Sequence, residues 1–552
     1  MEIYMKIYTF KSHDDVELRI FDDRFDFYAK GWQLFSFPVS SSVVMQGFND
    51  IDRKVHFEFE ELLDDCIRLH YKAASSFWKE KQYILSIYKD HVTYDIHLNG
   101  DFGIPDKIDY FKGGNNMPAT RYFTAGCLYI QGEDIDYERA KRFVGSDLEL
   151  NPRLASPPPF VFPFFNDAND KIIGIGFSAK KGENTYSSIN IRYQGKQAMH
   201  FELPYDKGAL KDSEWYAPTV WFGFGTDDFN VIREYSDWCR QEFAFPTSAD
   251  PETLPLWWKK PIYCGWLEQY FLAGWNGDYT KDYATQSHYE QMINRMDTVG
   301  LNPGIIIIDD KWQKDYGTME PDTTKWPDMR AFTDACHAKG KHVLLWWRLW
   351  SPDGLSSDEC IQDTGVNITV DPTSPVYIKR LENIIHKLLS DAPDCMNCDG
   401  FKLDYIYRLP PKNISGHASK EGIAGMELMY FYYETIYRLA KKEKSDALIN
   451  TSVAHPYFSD VFDQIRLHDY NSSQRSTVSI MKYRTAFTRA VFPNALIDTD
   501  GANFFTGNNQ HIHYHNEVAA KIGIPSLYGL MPLTDDDLRR IQEVWNEYES
   551  KL

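Results

Sequence analysis

Eight short apolar runs recur between residues 261 and 529, and stretches with helical spacing separate most of them. They are PIYCGW (261–266), GIIIID (304–309), HVLLWW (342–347), GFKLDY (400–405), ALINTS (447–452), DQIRLHD (463–469), ALIDTD (495–500) and IPSLYG (524–529). MRAFTDACHAKG (329–340) and PVYIKRLENIIHKLLS (375–390) read as two of the intervening helices. Eight strands alternating with helices over about 290 residues predict a (β/α)8 TIM barrel. The segment 453–462 is too short for a full helix between the fifth and sixth strands. A doubly wound open sheet is the alternative, but that fold usually carries a Gly-rich phosphate loop after a strand, and none occurs here.

Upstream the rhythm is different. KVHFEFEE (54–61), YILSIY (83–88), VTYDIHLNG (92–100), IIGIGFSA (172–179), SINIRYQG (188–195) and MHFELPY (199–205) are short and bounded by turn residues. That pattern predicts an antiparallel β-sandwich. ASPPPFVFPFF (155–165) reads as a proline-rich connector inside it, and DDFNVIREYSDWCRQEF (227–243) as one helix. The expected division is a β-sandwich domain with a terminal helix over 1–245, a Pro-rich linker over 246–260, and the barrel over 261–552.

Hydrophobic residues make up 43% of the 552-residue chain and aromatics 15%, the composition of a folded protein. A formal net charge of −20 argues against a nucleic-acid partner, since phosphates require cationic patches. No apolar run approaches the roughly 20 residues of a membrane span, and the start MEIYMKIYTFKSHDD lacks the apolar core of a secretory signal. A cytoplasmic location, no membrane association and free thiols at the eight cysteines are the expectations.

In a barrel, chemistry gathers at the C-terminal ends of the strands. Those ends carry Trp266 and Glu268, Asp309, Asp310 and Trp312, Trp346, Trp347 and Arg348, Lys402 and Asp404, Asn450, Ser452 and His455, Arg466, His468 and Asp469, and Asp498 and Asp500. Several buried carboxylates in one place mark a site or an ion-pair network. Carboxylates and tryptophans together suit sugars: the first accept hydrogen bonds from hydroxyls, and the second pack on pyranose C–H faces. Glycoside hydrolysis needs two carboxyl groups flanking the scissile bond. Asp404 and Asp469 are the candidates, since they follow strands of shared parity and so can face one another. Lys402 lies two residues before Asp404, on the same side and one step deeper. Its charge is expected to keep Asp404 ionised, and Asp469 is expected to have a raised pKa as the acid. The rim residues Trp266, Trp312 and His468 join the expected substrate contacts.

DGFKLDY (399–405) resembles the K-x-D strand of α-galactosidases in glycoside hydrolase families 27 and 36. IIDDKWQKDYG (307–317) and WPDMRAFTDACHAKGKHVLLWW (326–347) resemble the second and third strands of families 36 and 31. The resemblance implies clan D, a retaining mechanism, an N-terminal β-domain and a glycoside or oligosaccharide substrate, with no cofactor and no metal. It implies Asp404 as nucleophile and Asp469 as acid/base. Asp309 and Asp310 would hold hydroxyls at the far end of the sugar. Trp346 would form a stacking wall, Lys402 would contact ring hydroxyls, and Arg466 would precede the acid/base. An α-galactosidase is the leading expectation. An α-glucosidase, an α-N-acetylgalactosaminidase of the same clan and an inactive carbohydrate-binding protein are the alternatives. NTSVAHPYFSD (450–460) departs from the Gly/Ser-rich fifth strand of many family 36 members, and R-L-H-D from their acid/base segment. The C-terminal β-domain of these families is not expected after TDDDLRRIQEVWNEYESKL (534–552); a homo-oligomer would supply such cover.

Two other signals are discounted. Cys395 and Cys398 form one CxxC before the fourth strand, with no second pair to complete a zinc site. His511, His513 and His515 read as a polar loop.

Overall fold

The computed structural model describes residues 6–10, 13–45, 47–50, 52–100, 105–112, 123–125, 148–150, 160–166, 171–194, 198–206, 213–412, 414–467, 477–500, 520–531 and 533–552. Each of the eight apolar runs contributes one strand of a single parallel sheet. The strands are β1 (Ile262–Cys264), β2 (Ile305–Ile308), β3 (His342–Arg348), β4 (Gly400–Asp404), β5 (Leu448–Thr451), β6 (Gln464–Arg466), β7 (Leu496–Asp498) and β8 (Ser526–Leu527). β8 pairs with β1 in parallel. The amide of Ile524 donates to the Ile497 carbonyl at 2.7 Å, drawing β7 and β8 together and closing the ring.

Alternation along these strands divides the barrel into two cores. Ile262, Cys264, Ile305, Ile307, Leu344, Leu448, Leu496 and Ile524 cluster in the interior. Ile306, Ile308, Val343, Leu345, Phe401, Leu403, Ile449 and Ile465 face the helices. Higher up, the inward positions turn polar at Asp309, Lys402, Asn450, Arg466 and Asp498, all buried. The barrel therefore has an apolar floor and a charged mouth.

Residues 246–260 lie against that floor. The indole N–H of Trp258 donates to the Asp446 carbonyl at 2.9 Å, and that of Trp257 to the Asp446 carboxylate at 3.0 Å. Trp258 joins the interior cluster, and its carbonyl accepts from Gln464 at 2.5 Å.

The upstream strands are antiparallel and form sheets of four, five and nine strands. Thr219–Gly225, in the nine-stranded sheet, is buried almost throughout because both its faces are covered. Phe222 and Phe224 meet Phe27 and Phe10 of the four-stranded sheet, with centroids 5.1 and 4.7 Å apart. On the opposite face Trp221 stacks on Trp238 of the helix Asp228–Phe243. The proline-rich run expected to be a connector is in part a strand: Val161–Asn166 pairs with Lys171–Ser178, with Pro163 opposite Gly174. Phe162 packs on Phe201 at 5.5 Å, so the apolar alternation of this run outweighs its prolines.

Between β5 and β6 there is only a 3-10 turn, Pro456–Phe458. The helix Asp228–Phe243 packs beside that turn and against the helix Thr477–Val491 that follows β6. Phe229 meets Tyr483 at 5.5 Å, the following Phe245 meets Tyr457 at 4.9 Å, and the Arg240 guanidinium donates to the Val491 carbonyl. A helix from the upstream half thus covers the barrel wall where the chain has too few residues to build its own.

Candidate active site

Asp404 is the last residue of β4, and among the described residues three donors reach its side chain. Trp346 Nε1 donates to Oδ2 at 3.0 Å, the Tyr405 amide to Oδ1 at 2.8 Å, and Arg466 Nη2 to Oδ1 at 3.2 Å. Converging donors suit a carboxylate that is acceptor-only. Trp346 and Arg348 of β3 stand in register with Lys402 and Asp404 of β4, so these four side chains share the inner surface. The backbone turns sharply after these carboxylates: Lys311, after Asp310, has φ 76°, Tyr405 has φ 55°, and Asp500 itself has φ 61°. Left-handed non-glycine residues are strained and persist only where the surroundings enforce them.

Lys402 does not serve Asp404 as expected. Its ammonium donates to Asp309 Oδ2 at 2.8 Å and lies 3.7 Å from Cys264 Sγ and 4.6 Å from the centre of the Tyr528 ring. Burial pulls its pKa down, but the Asp309 carboxylate overcomes this and holds it above the usual lysine value. Among the described residues, Arg466 is the cation that meets Asp404, and its other terminal nitrogen donates to Asp500 Oδ2 at 2.9 Å. Lys402 lies one step deeper than Asp404, at the level of Asp309, which follows β2 two strands away.

Asp309 also accepts from the Cys264 thiol at 3.0 Å and from the Asp310 amide at 2.9 Å. Burial pushes the Asp310 carboxyl up to about 6, against the pull of Lys311, the Tyr316 hydroxyl and Arg348. Tyr316 donates to Asp310 Oδ1 at 2.7 Å. Asp498 is likewise raised, chiefly by burial and then by Asp500; it accepts from Asn450 at 2.9 Å and from Ser526.

Asp309, Asp310, Trp346, Lys402, Asp404 and Arg466 thus gather at the mouth. Trp312 does not present a face to it: the residue is 0% exposed, and its indole N–H is spent on the Trp346 carbonyl at 2.8 Å. It is a prop behind Trp346, packed in the helix-facing core and tied to the β3 backbone. Trp266 begins the helix Trp266–Leu272 and is partly buried, edge-on to Tyr270 at 5.3 Å. His468, Asp469 and the histidines 511, 513 and 515 lie outside the described residues. Glu268 accepts from the amides of Leu530 and Met531 at 2.6 and 2.8 Å and so fastens the β8–β1 seam. His455 is enclosed by Phe160 and Phe245, its pKa lowered to about 3 by burial, and it caps the turn at Pro456. Cys395 and Cys398 are buried free thiols, as are the other described cysteines.

The sequence reading missed Cys264, Tyr316, Tyr405 and Tyr528. Cys264 was legible, since it alternates with Ile262 along β1 and must point inward. Tyr316 sits in a loop with no periodicity, so nothing in the sequence places it on Asp310.

No protein-family model matches this sequence, and no curated protein matches it. Solved structures do match. A family 31 sulfoquinovosidase from E. rectale aligns with TM-score 0.57 and 10% identity over 96% of this chain and 82% of its own. The galactosidase domain of the α-galactosidase–sucrose kinase AgaSK aligns at 0.51 and 10%, over 99% and 86%. The family 36 α-galactosidase AgaA from Geobacillus stearothermophilus aligns at 0.53 and 11%, over 93% and 75%. At such identities the likeness is one of fold: a β-sandwich followed by a (β/α)8 barrel.

Proposed function

We propose that this chain is a retaining α-glycosidase, with Asp404 as nucleophile and Asp469 as acid/base. The observation that carries the reading is the setting of Asp404. It is a strand-end carboxylate 9% exposed at the barrel mouth, held by Trp346, the Tyr405 amide and Arg466, with the Lys402–Asp309 pair beneath it. In the proposed reaction an Asp404 oxygen attacks the anomeric carbon while protonated Asp469 gives its proton to the departing oxygen. Asp469 then takes a proton from water, the water oxygen bonds to the anomeric carbon, and Asp404 is released. The part given to Asp469 rests on the sequence, through its place after β6 and the family resemblance.

The resemblance of DGFKLDY to the K-x-D strand of α-galactosidases favours an α-galactoside over an α-glucoside. Two of the matched structures are α-galactosidases and one is a sulfoquinovosidase. Asp404→Asn is expected to lower turnover of aryl α-galactosides by about a thousand-fold or more with the fold intact by circular dichroism. Near-normal turnover by that variant would remove the proposal. Proton NMR of the first sugar released checks the stereochemistry: the α-anomer is expected, and the β-anomer would exclude a covalent intermediate.

A further inference from the structure

The chain carries 79 acidic against 59 basic residues, so a cation without an acidic partner stands out. Three occur together at the barrel mouth. Lys311 Nζ lies 5.3 Å from the ring centre of Tyr316. The Arg348 guanidinium lies 4.7 Å from the ring centres of both Tyr316 and Tyr405. The Arg408 guanidinium lies 5.0 Å from Tyr405 and 5.8 Å from Tyr407. Among the described residues, none of the three forms an ion pair within 4.0 Å or a side-chain hydrogen bond. Lys325, nearby, is different: it is paired with Asp322 at 3.4 Å.

The ladder links the two ends of the proposed sugar site. Tyr316 donates to Asp310 at one end, and the Tyr405 amide donates to Asp404 at the other. Of these two carboxylates, Asp404 already has Arg466. Lys311 and Arg348 both act on Asp310, a single carboxylate for two cations, and Arg408 extends the row over Tyr405 and Tyr407. Aromatic faces hold a guanidinium in place without neutralising it, and leave its in-plane N–H groups free to chelate an oxyanion. Arg348 and Lys311 are half-buried, where such a contact is less screened than at an open surface.

We propose that Lys311, Arg348 and Arg408 form a cationic rim that recognises an anionic substituent, a carboxylate, sulfate or phosphate, on the sugar held beside Asp310. The inference rests on reading this mouth as a sugar site, and it names the substrate class as acidic glycosides.

The test is calorimetric binding to the full chain of galactose, galacturonate, galactose 6-sulfate and galactose 6-phosphate, and of the same four forms of glucose. At least one acidic sugar is expected to bind ten-fold or more tightly than its neutral parent, and the tightest identifies the anion. Raising the salt to about 0.5 M is expected to shrink the preference. Lys311→Gln/Arg348→Gln is expected to cut the acidic-to-neutral affinity ratio at least ten-fold. If that variant does not fold, Arg408→Gln, at an exposed position, is expected to reduce the same ratio. Equal binding of acidic and neutral sugars, binding of none, or a preference untouched by these substitutions overturns the proposal. Acid-selective binding without hydrolysis of any aryl glycoside would keep this inference and remove the glycosidase reading; hydrolysis of neutral glycosides without acid preference would do the converse.

Discussion

Arg466 is fully buried and joins Asp404 to Asp500 through its two terminal nitrogens. Removing one partner of a buried ionic set leaves uncompensated charge, which costs about 3–5 kcal/mol. Arg466→Met is therefore expected to lower unfolding stability by about that amount in denaturant titrations, and to reduce activity because Asp404 loses a donor. Arg466→Lys, with one charged centre in place of a fork, is expected to recover part of the stability and less of the activity. Asp310 yields a prediction about pH. Its folded pKa, about 6, lies above the unfolded value of about 3.9. The folded state therefore holds a proton that the unfolded chain has already lost. This stabilising contribution is complete below pH about 4 and disappears as pH rises through about 6, a change of about 3 kcal/mol. Asp310→Asn is expected to flatten that segment of the stability–pH curve between pH 4 and 7. A segment unchanged in the variant would mean that another group is responsible.

The helix Asp228–Phe243 shows how an element can belong to two cores. Its Trp238 and Tyr235 pack on Trp221 of the nine-stranded sheet, while Phe229 reaches Tyr483 of a barrel helix. The fit is tight: a Cβ on Gly176 would lie 2.3 Å from the Tyr235 ring, and one on Gly174 2.2 Å from Val231. A second junction lies at the start of the helix Gly425–Glu443. There Glu427 accepts from the amides of Gly182 and Asn184 at 2.9 and 3.0 Å and from the Tyr457 hydroxyl at 2.8 Å. Cutting the chain at about residue 245 would strip the wall beside β5 and β6 and leave Tyr457, Phe458 and Tyr483 uncovered. A fragment spanning 246–552 is expected to be insoluble or to unfold without cooperativity. A soluble fragment with one sharp calorimetric transition would show that the upstream helix is dispensable.

Across the whole molecule, the sequence by itself determined the eight barrel strands, because short apolar runs bounded by turns have few other uses. It also determined that Lys402 and Asp404 share a face, since alternation is a local property of an extended chain. It determined that carboxylates and tryptophans collect at one end, since strand direction assigns each residue an end. The tertiary structure alone decided which charges meet. Lys402 finds Asp309, 93 positions away, and Asp404 finds Arg466, 62 positions away. Those pairings depend on how far each side chain lies above the floor, and that height is set by the stagger of neighbouring strands rather than by any spacing along the chain. The same holds for the missing fifth helix. Local pattern shows that 453–462 cannot supply it, and only packing reveals that a segment more than 200 residues upstream does.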